Sequence, residues 1–153
     1  MYIRLDGKAL PELHDASYRF VPGQVDILRT GKDVSIVALG SVVHEAVDAA
    51  ARLAEQGIEA QVINLSSIRP LQRDVLLSAL SGTRGVVTVE EHNINGGLGS
   101  LVAEVLAEGA LGIALIRLGI GDGEYAAAGA REPTRALHGI DAAGIAAAAL
   151  RLR

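Results

Sequence analysis

Cysteine is absent from this 153-residue chain, and aromatic residues make up only 3% of it. Without cysteine the protein forms no disulfide and has no thiolate to serve as nucleophile or metal ligand. Its aromatic residues are one phenylalanine and three tyrosines, so alanine, valine, isoleucine and leucine must supply the core. Half of the residues are hydrophobic, which suffices for one domain of this length.

An excess of positive charge is missing as well. The formal net charge is −4, and no basic stripe is visible, so we expect no nucleic-acid partner. No apolar run approaches the roughly 18 to 20 residues that a membrane-spanning helix needs, so we expect no membrane partner. The first residues mix charged and apolar side chains, unlike a signal peptide. We therefore expect a soluble, cytoplasmic protein.

From Lys32 onward the chain alternates between short apolar runs and segments with helical spacing of apolar residues. The runs predict strands at residues 34–39, 60–65, 85–90 and 113–118. The periodic segments predict helices at 42–56, 71–80, 97–109, 131–137 and 142–152. This order predicts an α/β fold, in which a mostly parallel sheet of about five strands lies between two layers of helices.

Residues 1–31 differ from the remainder of the chain. They contain Pro11 and Pro22, mixed charges and three of the four aromatic residues. Short strands are expected at 1–5 and 25–28, with a linker between them. We therefore divide the chain into a first unit, residues 1–31, and a regular domain, residues 32–153.

The carboxyl ends of parallel strands meet at one sheet edge, where ligands of such folds bind. Glu90, Glu91 and His92 follow one predicted strand, and Arg69 follows another. The two acids and the histidine are a candidate acid–base group, and Arg69 can clamp an anion. In the alternative interpretation, one acid caps a helix or pairs with Arg69 or Arg117, and His92 lines a subunit contact.

A glycine-rich turn follows, comprising Gly96, Gly97, Gly99 and Ser100. Free amide groups at a helix N-terminus bind anions, which makes this turn a candidate anion site. The dinucleotide fingerprint is incomplete, because position 102 is valine and not glycine. The alternative is that these glycines permit a tight turn and close packing of helix against strand.

The other polar residues suggest no catalyst. The histidines lack the spacing of metal ligands, so no metal site is predicted. Ser41 is not in a nucleophile elbow, so no hydrolase triad is predicted. Glu45 is expected to lie solvated in the first turn of a helix. We therefore predict no catalytic residue in this chain.

Three motifs in sequence order resemble one family. They are VSIVALGS at 34–41, AARLAEQGIEAQVINLSSIRPL at 50–71 and VVTVEEHNINGGLGSLVAEVL at 86–106. Together they resemble the C-terminal domain of the transketolase family, whose members depend on thiamine diphosphate. The chain departs from the family pattern at Arg69, where lysine is usual, and at Gln72, where aspartate is usual.

The resemblance implies a part of a larger enzyme that transfers ketol units between sugar phosphates. In the family, thiamine diphosphate and a divalent cation (Mg²⁺ or Ca²⁺) are held by other domains, so this part is expected to bind neither and to be inactive alone. Residues 1–31 then resemble the tail of a preceding pyrimidine-binding domain plus a linker. The expected partners are the cofactor-binding domains or subunit, and a second copy in a homodimer.

Three alternatives remain open from the sequence. The parent enzyme can be a 2-oxo-acid dehydrogenase β subunit, or it can be a deoxyxylulose-phosphate synthase. The chain can also be a free-standing α/β module that binds a small anion at the glycine-rich turn.

Overall fold

The computed structural model describes residues 2–3, 7, 9–124 and 128–152. The strand predicted over residues 1–5 lies outside the described residues at positions 1, 4 and 5. The described residues form five strands: β1 Asp26–Arg29, β2 Val34–Ala38, β3 Ala60–Asn64, β4 Gly85–Asn93 and β5 Ala114–Ile120. They also form five α-helices: α1 Val43–Ala54, α2 Arg73–Leu80, α3 Leu98–Glu108, α4 Arg131–Leu137 and α5 Ala142–Leu150.

The strands form one sheet in the order β1-β3-β2-β4-β5. Strands β2 to β5 are parallel to their neighbours, and β1 pairs antiparallel with β3 at one edge. The predicted α/β fold with a mostly parallel five-stranded sheet is therefore confirmed. The chain leaves β2 outward to β3 and then returns to β4 on the other side, so the strand order reverses between β2 and β4. Such a reversal opens a crevice at the carboxyl ends of the two strands.

Two apolar clusters hold the helices against the sheet. On one face α1 and α5 pack on the strands around Ile36, Leu53 and Ile145. On the other face α2 and α3 pack around Ile63, Leu76 and Leu98. The buried hydrophobic residues of the described part are all alanine, valine, isoleucine or leucine, as the composition requires. No helix among the described residues is long and apolar enough to cross a bilayer.

Two predicted boundaries are wrong in ways that affect the site. Strand β4 continues to Asn93, because its end pairs with β5 near Ile120, so the Glu90–Glu91–His92 series lies on a strand. Helix α2 begins at Arg73, two residues later than predicted. The Gln72 amide instead donates to the Gly23 carbonyl at 2.9 Å, which ties the preceding turn to the N-terminal segment.

Candidate functional site

Glu90 is fully buried at the carboxyl end of β4 and caps the next helix. Its carboxylate accepts hydrogen bonds from the Leu98 amide at 2.6 Å and the Gly99 amide at 3.0 Å. These are the first amides of α3, which lack partners within the helix. The Nε2 atom of His92 lies 3.3 Å from the same carboxylate. Glu90 therefore supplies the negative charge that a helix N-terminus favours.

The glycine-rich turn is shaped around this carboxylate. A Cβ atom on Gly97 would overlap Oε2 of Glu90 and the His92 ring, and a Cβ on Gly99 would lie 2.7 Å from Cδ of Arg117. The Gly96 amide donates to Ser100 Oγ at 3.0 Å, so a third amide of the turn is also satisfied. An external anion would have to displace Glu90. This geometry favours the packing interpretation of the turn over the anion-binding one.

Glu91 points to the opposite face of the sheet, because successive residues of a strand alternate sides. There the Ser41 hydroxyl and the Arg135 guanidinium donate to its carboxylate, Arg135 through Nε at 2.7 Å. The two acids therefore face different layers, and they do not form the proposed acid–base group with His92. Neither predicted pairing, with Arg69 or with Arg117, is made by these acids among the described contacts.

Arg135, on α4, fills the crevice between β2 and β4. Its side chain is 6% exposed. Besides Glu91 it donates through Nη1 to Glu45 at 3.0 Å and through Nη2 to Ser41 at 3.2 Å. We call Ser41, Glu45, Glu91 and Arg135 the crevice network. A crevice that similar folds leave for a ligand is occupied here by the protein's own guanidinium.

Glu45 also joins α1 to α5. Its second oxygen accepts the Ala142 amide at 2.9 Å, at the start of α5. Asp141 caps the same helix by accepting the Gly144 amide at 2.9 Å. The expectation of a solvated Glu45 is therefore wrong, because the approach of α4 and α5 supplies it with buried donors. No local pattern indicated this role, since its partners lie 90 or more residues away.

The pKa of Glu91 is held below its ordinary value. Partial burial acts to raise the pKa, but hydrogen bonds from Arg135 and Ser41 and the charges of Arg135 and Arg131 outweigh it. The ionised carboxylate is thus the form that the crevice network stabilises.

Glu91→Gln is expected to destabilise the protein at neutral pH and to matter less as the solution is acidified. A group with a lowered folded pKa contributes stability above its unfolded pKa, here 4.5, and loses that contribution as the pH falls through the folded value. Urea titrations at a series of pH values should show the gap to the parent closing below 4.5. The exposed Glu108→Gln is the control, with a small gap throughout. A Glu91→Gln gap that stays constant with pH would contradict this assignment.

The remaining candidates do not converge with these groups. Arg69 is exposed and, among the described residues, makes no hydrogen bond or ion pair. The His92 side chain is 52% exposed, and its Nδ1 lies 3.0 Å from the Asn93 carbonyl. In the part of the chain that the structure describes, no group of three or more acids and histidines is arranged to hold a metal ion.

Comparison with known proteins identifies relatives across nearly the whole chain. The family model described as "Transketolase, C-terminal domain" matches residues 23–145. One subunit of the apulose-4-phosphate transketolase of Actinobacillus succinogenes is 57% identical over 152 residues, which are 99% of this chain and 49% of that protein. 1-Deoxy-D-xylulose-5-phosphate synthase 1 of Geobacter sulfurreducens is 46% identical over 136 residues, 88% of this chain and 21% of that protein.

Among solved structures, the chain is similar to a split gene transketolase described as an inactive β4 tetramer. The TM-score is 0.86 at 36% identity, covering 94% of this chain and 46% of that one. The chain thus spans about half the length of this structure and of the Actinobacillus relative.

Proposed function

The chain belongs to the transketolase C-terminal domain family, and we propose that it serves a split transketolase that transfers ketol units between sugar phosphates. The observation that carries this proposal is the 57% identity, along nearly the whole chain, to one subunit of a transketolase. The fold similarity to a split gene transketolase supports it independently. The chain corresponds to about half of each of these two proteins, so we assign the reacting groups to the other half.

We propose that thiamine diphosphate and its divalent cation bind to that other half. The residues of this chain do not fit the diphosphate. The amides of Leu98 and Gly99, which would contact it at the glycine-rich turn, are already bonded to Glu90. The other polar groups at the carboxyl edge are engaged as well, since Ser41, Glu45 and Glu91 all contact Arg135. The role we assign to this domain is to brace the active half.

Thiamine diphosphate titrated calorimetrically into the chain alone is expected to give no saturable heat. A chimera tests the active form, with the unmatched half of the Actinobacillus relative placed ahead of Met1. We expect the chimera to bind the cofactor and to transfer ketol groups in the presence of Mg²⁺. Tight stoichiometric binding to the chain alone would overturn our assignment of the cofactor. A chimera that binds the cofactor without transferring ketol groups would overturn the transketolase proposal.

Deoxyxylulose-phosphate synthase is the second candidate, favoured by the 46% identity to the Geobacter enzyme. A second chimera, with the preceding part of that enzyme ahead of Met1, separates the two candidates. We expect the transketolase chimera to regain the larger fraction of its parent's activity, because its relative is more similar along this domain. The reverse order would favour the synthase.

Self-association and cellular location stay predictions. The similar split gene transketolase is described as a tetramer of its own chain. We propose that the present chain also associates with itself, as the homodimer expected from the resemblance, and that it acts in the cytoplasm. Analytical ultracentrifugation of the chain checks the first of these proposals.

A further inference from the structure

We propose that a cleft beside the N-terminal segment is the surface on which the preceding half of the transketolase docks, an inference that rests on the proposed function. The cleft has a volume of about 410 Å³ and opens at the carboxyl ends of β2 and β3. Leu13, Tyr18 and Phe20 line one wall, Leu39 and Val43 line the other, and Ser66 lies at the rim. We call this the docking cleft. The occupant is an apolar segment of the preceding half.

Exposed apolar side chains are concentrated beside the docking cleft and along the segment that leads to it. Of the eight large hydrophobic residues that stand exposed in the described structure, five lie within the first 21 positions. They are Tyr2 at 88%, Ile3 at 65%, Leu10 at 37%, Phe20 at 57% and Val21 at 48% exposure. Apolar surface gathered in this way marks an interaction site, whereas single exposed residues do not.

The segment is fixed in place even though it exposes these side chains. The Asp26 carboxylate lies 2.7 Å from Nε2 of His14 and accepts a hydrogen bond from the Asn64 side chain at 3.1 Å. The His14 ring stacks on Tyr18, with 3.7 Å between the ring centroids. A surface already ordered before association loses little conformational entropy when its partner arrives. The docking cleft is therefore preformed.

The alignment indicates which partner fits. The Actinobacillus relative matches 99% of this chain but only 49% of its own length, and the matched family model is a C-terminal domain. In that relative the unmatched half therefore precedes the match, and its chain enters this domain through the segment that borders the cleft. A tethered partner has a high effective concentration at such a surface.

Cysteine labelling tests the proposal directly, because the chain has no cysteine of its own. Phe20→Cys and Val21→Cys report on the docking cleft. Gln56→Cys, which follows α1 at the opposite edge of the sheet and is exposed, is the matched control. Each variant is treated with a maleimide, both as the isolated chain and within the Actinobacillus chimera. We expect labelling of both cleft cysteines to slow by about tenfold or more in the chimera, since docking must open first, and labelling of the control to be unchanged.

The outcomes separate this proposal from the proposed function. Equal labelling of the cleft cysteines in the chimera and the isolated chain overturns the docking site, even if the chimera transfers ketol groups. Protection without ketol transfer supports the docking site and counts against the transketolase function. Protection that appears on concentrating the isolated chain, and not in the chimera, assigns the cleft to a second copy and overturns the proposal.

Discussion

Gly97→Ala is expected to lower the free energy of unfolding by about 3 kcal/mol or more, since it combines overpacking with lost hydrogen bonds to a charged acceptor. The new methyl group would overlap Oε2 of Glu90. A long side chain can often swing away, but Glu90 is fully buried and held by two amide donors. Moving it leaves both the carboxylate and the start of α3 without partners. Urea unfolding followed by far-ultraviolet circular dichroism measures the loss.

Gly112→Ala is the matched control for this substitution. Nothing lies within 4 Å of a Cβ built at Gly112, and its backbone is not in the left-handed region. We expect a change within about 1 kcal/mol, and in the stabilising direction if the unfolded chain loses freedom. Equal effects of the two substitutions would show that the contact with Glu90 does not determine the need for glycine at position 97.

Arg135→Met is expected to destabilise the protein by about 2 to 4 kcal/mol. Removing one partner of a buried ion pair costs about 3 to 5 kcal/mol, because the remaining charge is left uncompensated. We set the value somewhat lower, since the Glu91 and Glu45 side chains keep 30% and 21% of their exposure. Methionine preserves much of the arginine's volume, so the effect reports on the lost charge and hydrogen bonds. Thermal and urea unfolding both measure it.

The control for Arg135 is Arg73→Met. Arg73 pairs with Glu108 at 2.5 Å, but the two side chains are 38% and 69% exposed. A surface pair of this kind contributes at most about 1 kcal/mol. If Arg135→Met costs no more than Arg73→Met, the crevice network does not hold α4 to the sheet.

The order of elements could be predicted because each one carries its own local signal. The apolar run at 34–39 indicated β2, which the structure places at Val34–Ala38, and the prediction of α4 at 131–137 agrees with the observed helix. The boundaries of β4 and α2 were missed because they depend on neighbours. The β5 strand extends β4 to Asn93, and the Gly23 carbonyl delays the start of α2.

The side-chain partners could be predicted only in part. A capping acid beside the glycine-rich turn was among the interpretations of the sequence, because charge and helix start lie close together in the chain. Arg135 was not, since it lies 44 residues from Glu91 and 90 from Glu45. Only the strand order β3-β2-β4 brings these residues together. Pairings that arise from topology leave no periodic pattern in a single sequence.

The carboxylate at the start of α3 has one further consequence. A metabolite bound at a helix start comes and goes with its concentration, whereas a covalently attached occupant is present in every molecule at fixed stoichiometry. The shape of the glycine-rich turn is therefore independent of nutrient supply. A domain built in this way offers the rest of an enzyme a constant support, before, during and after each turnover.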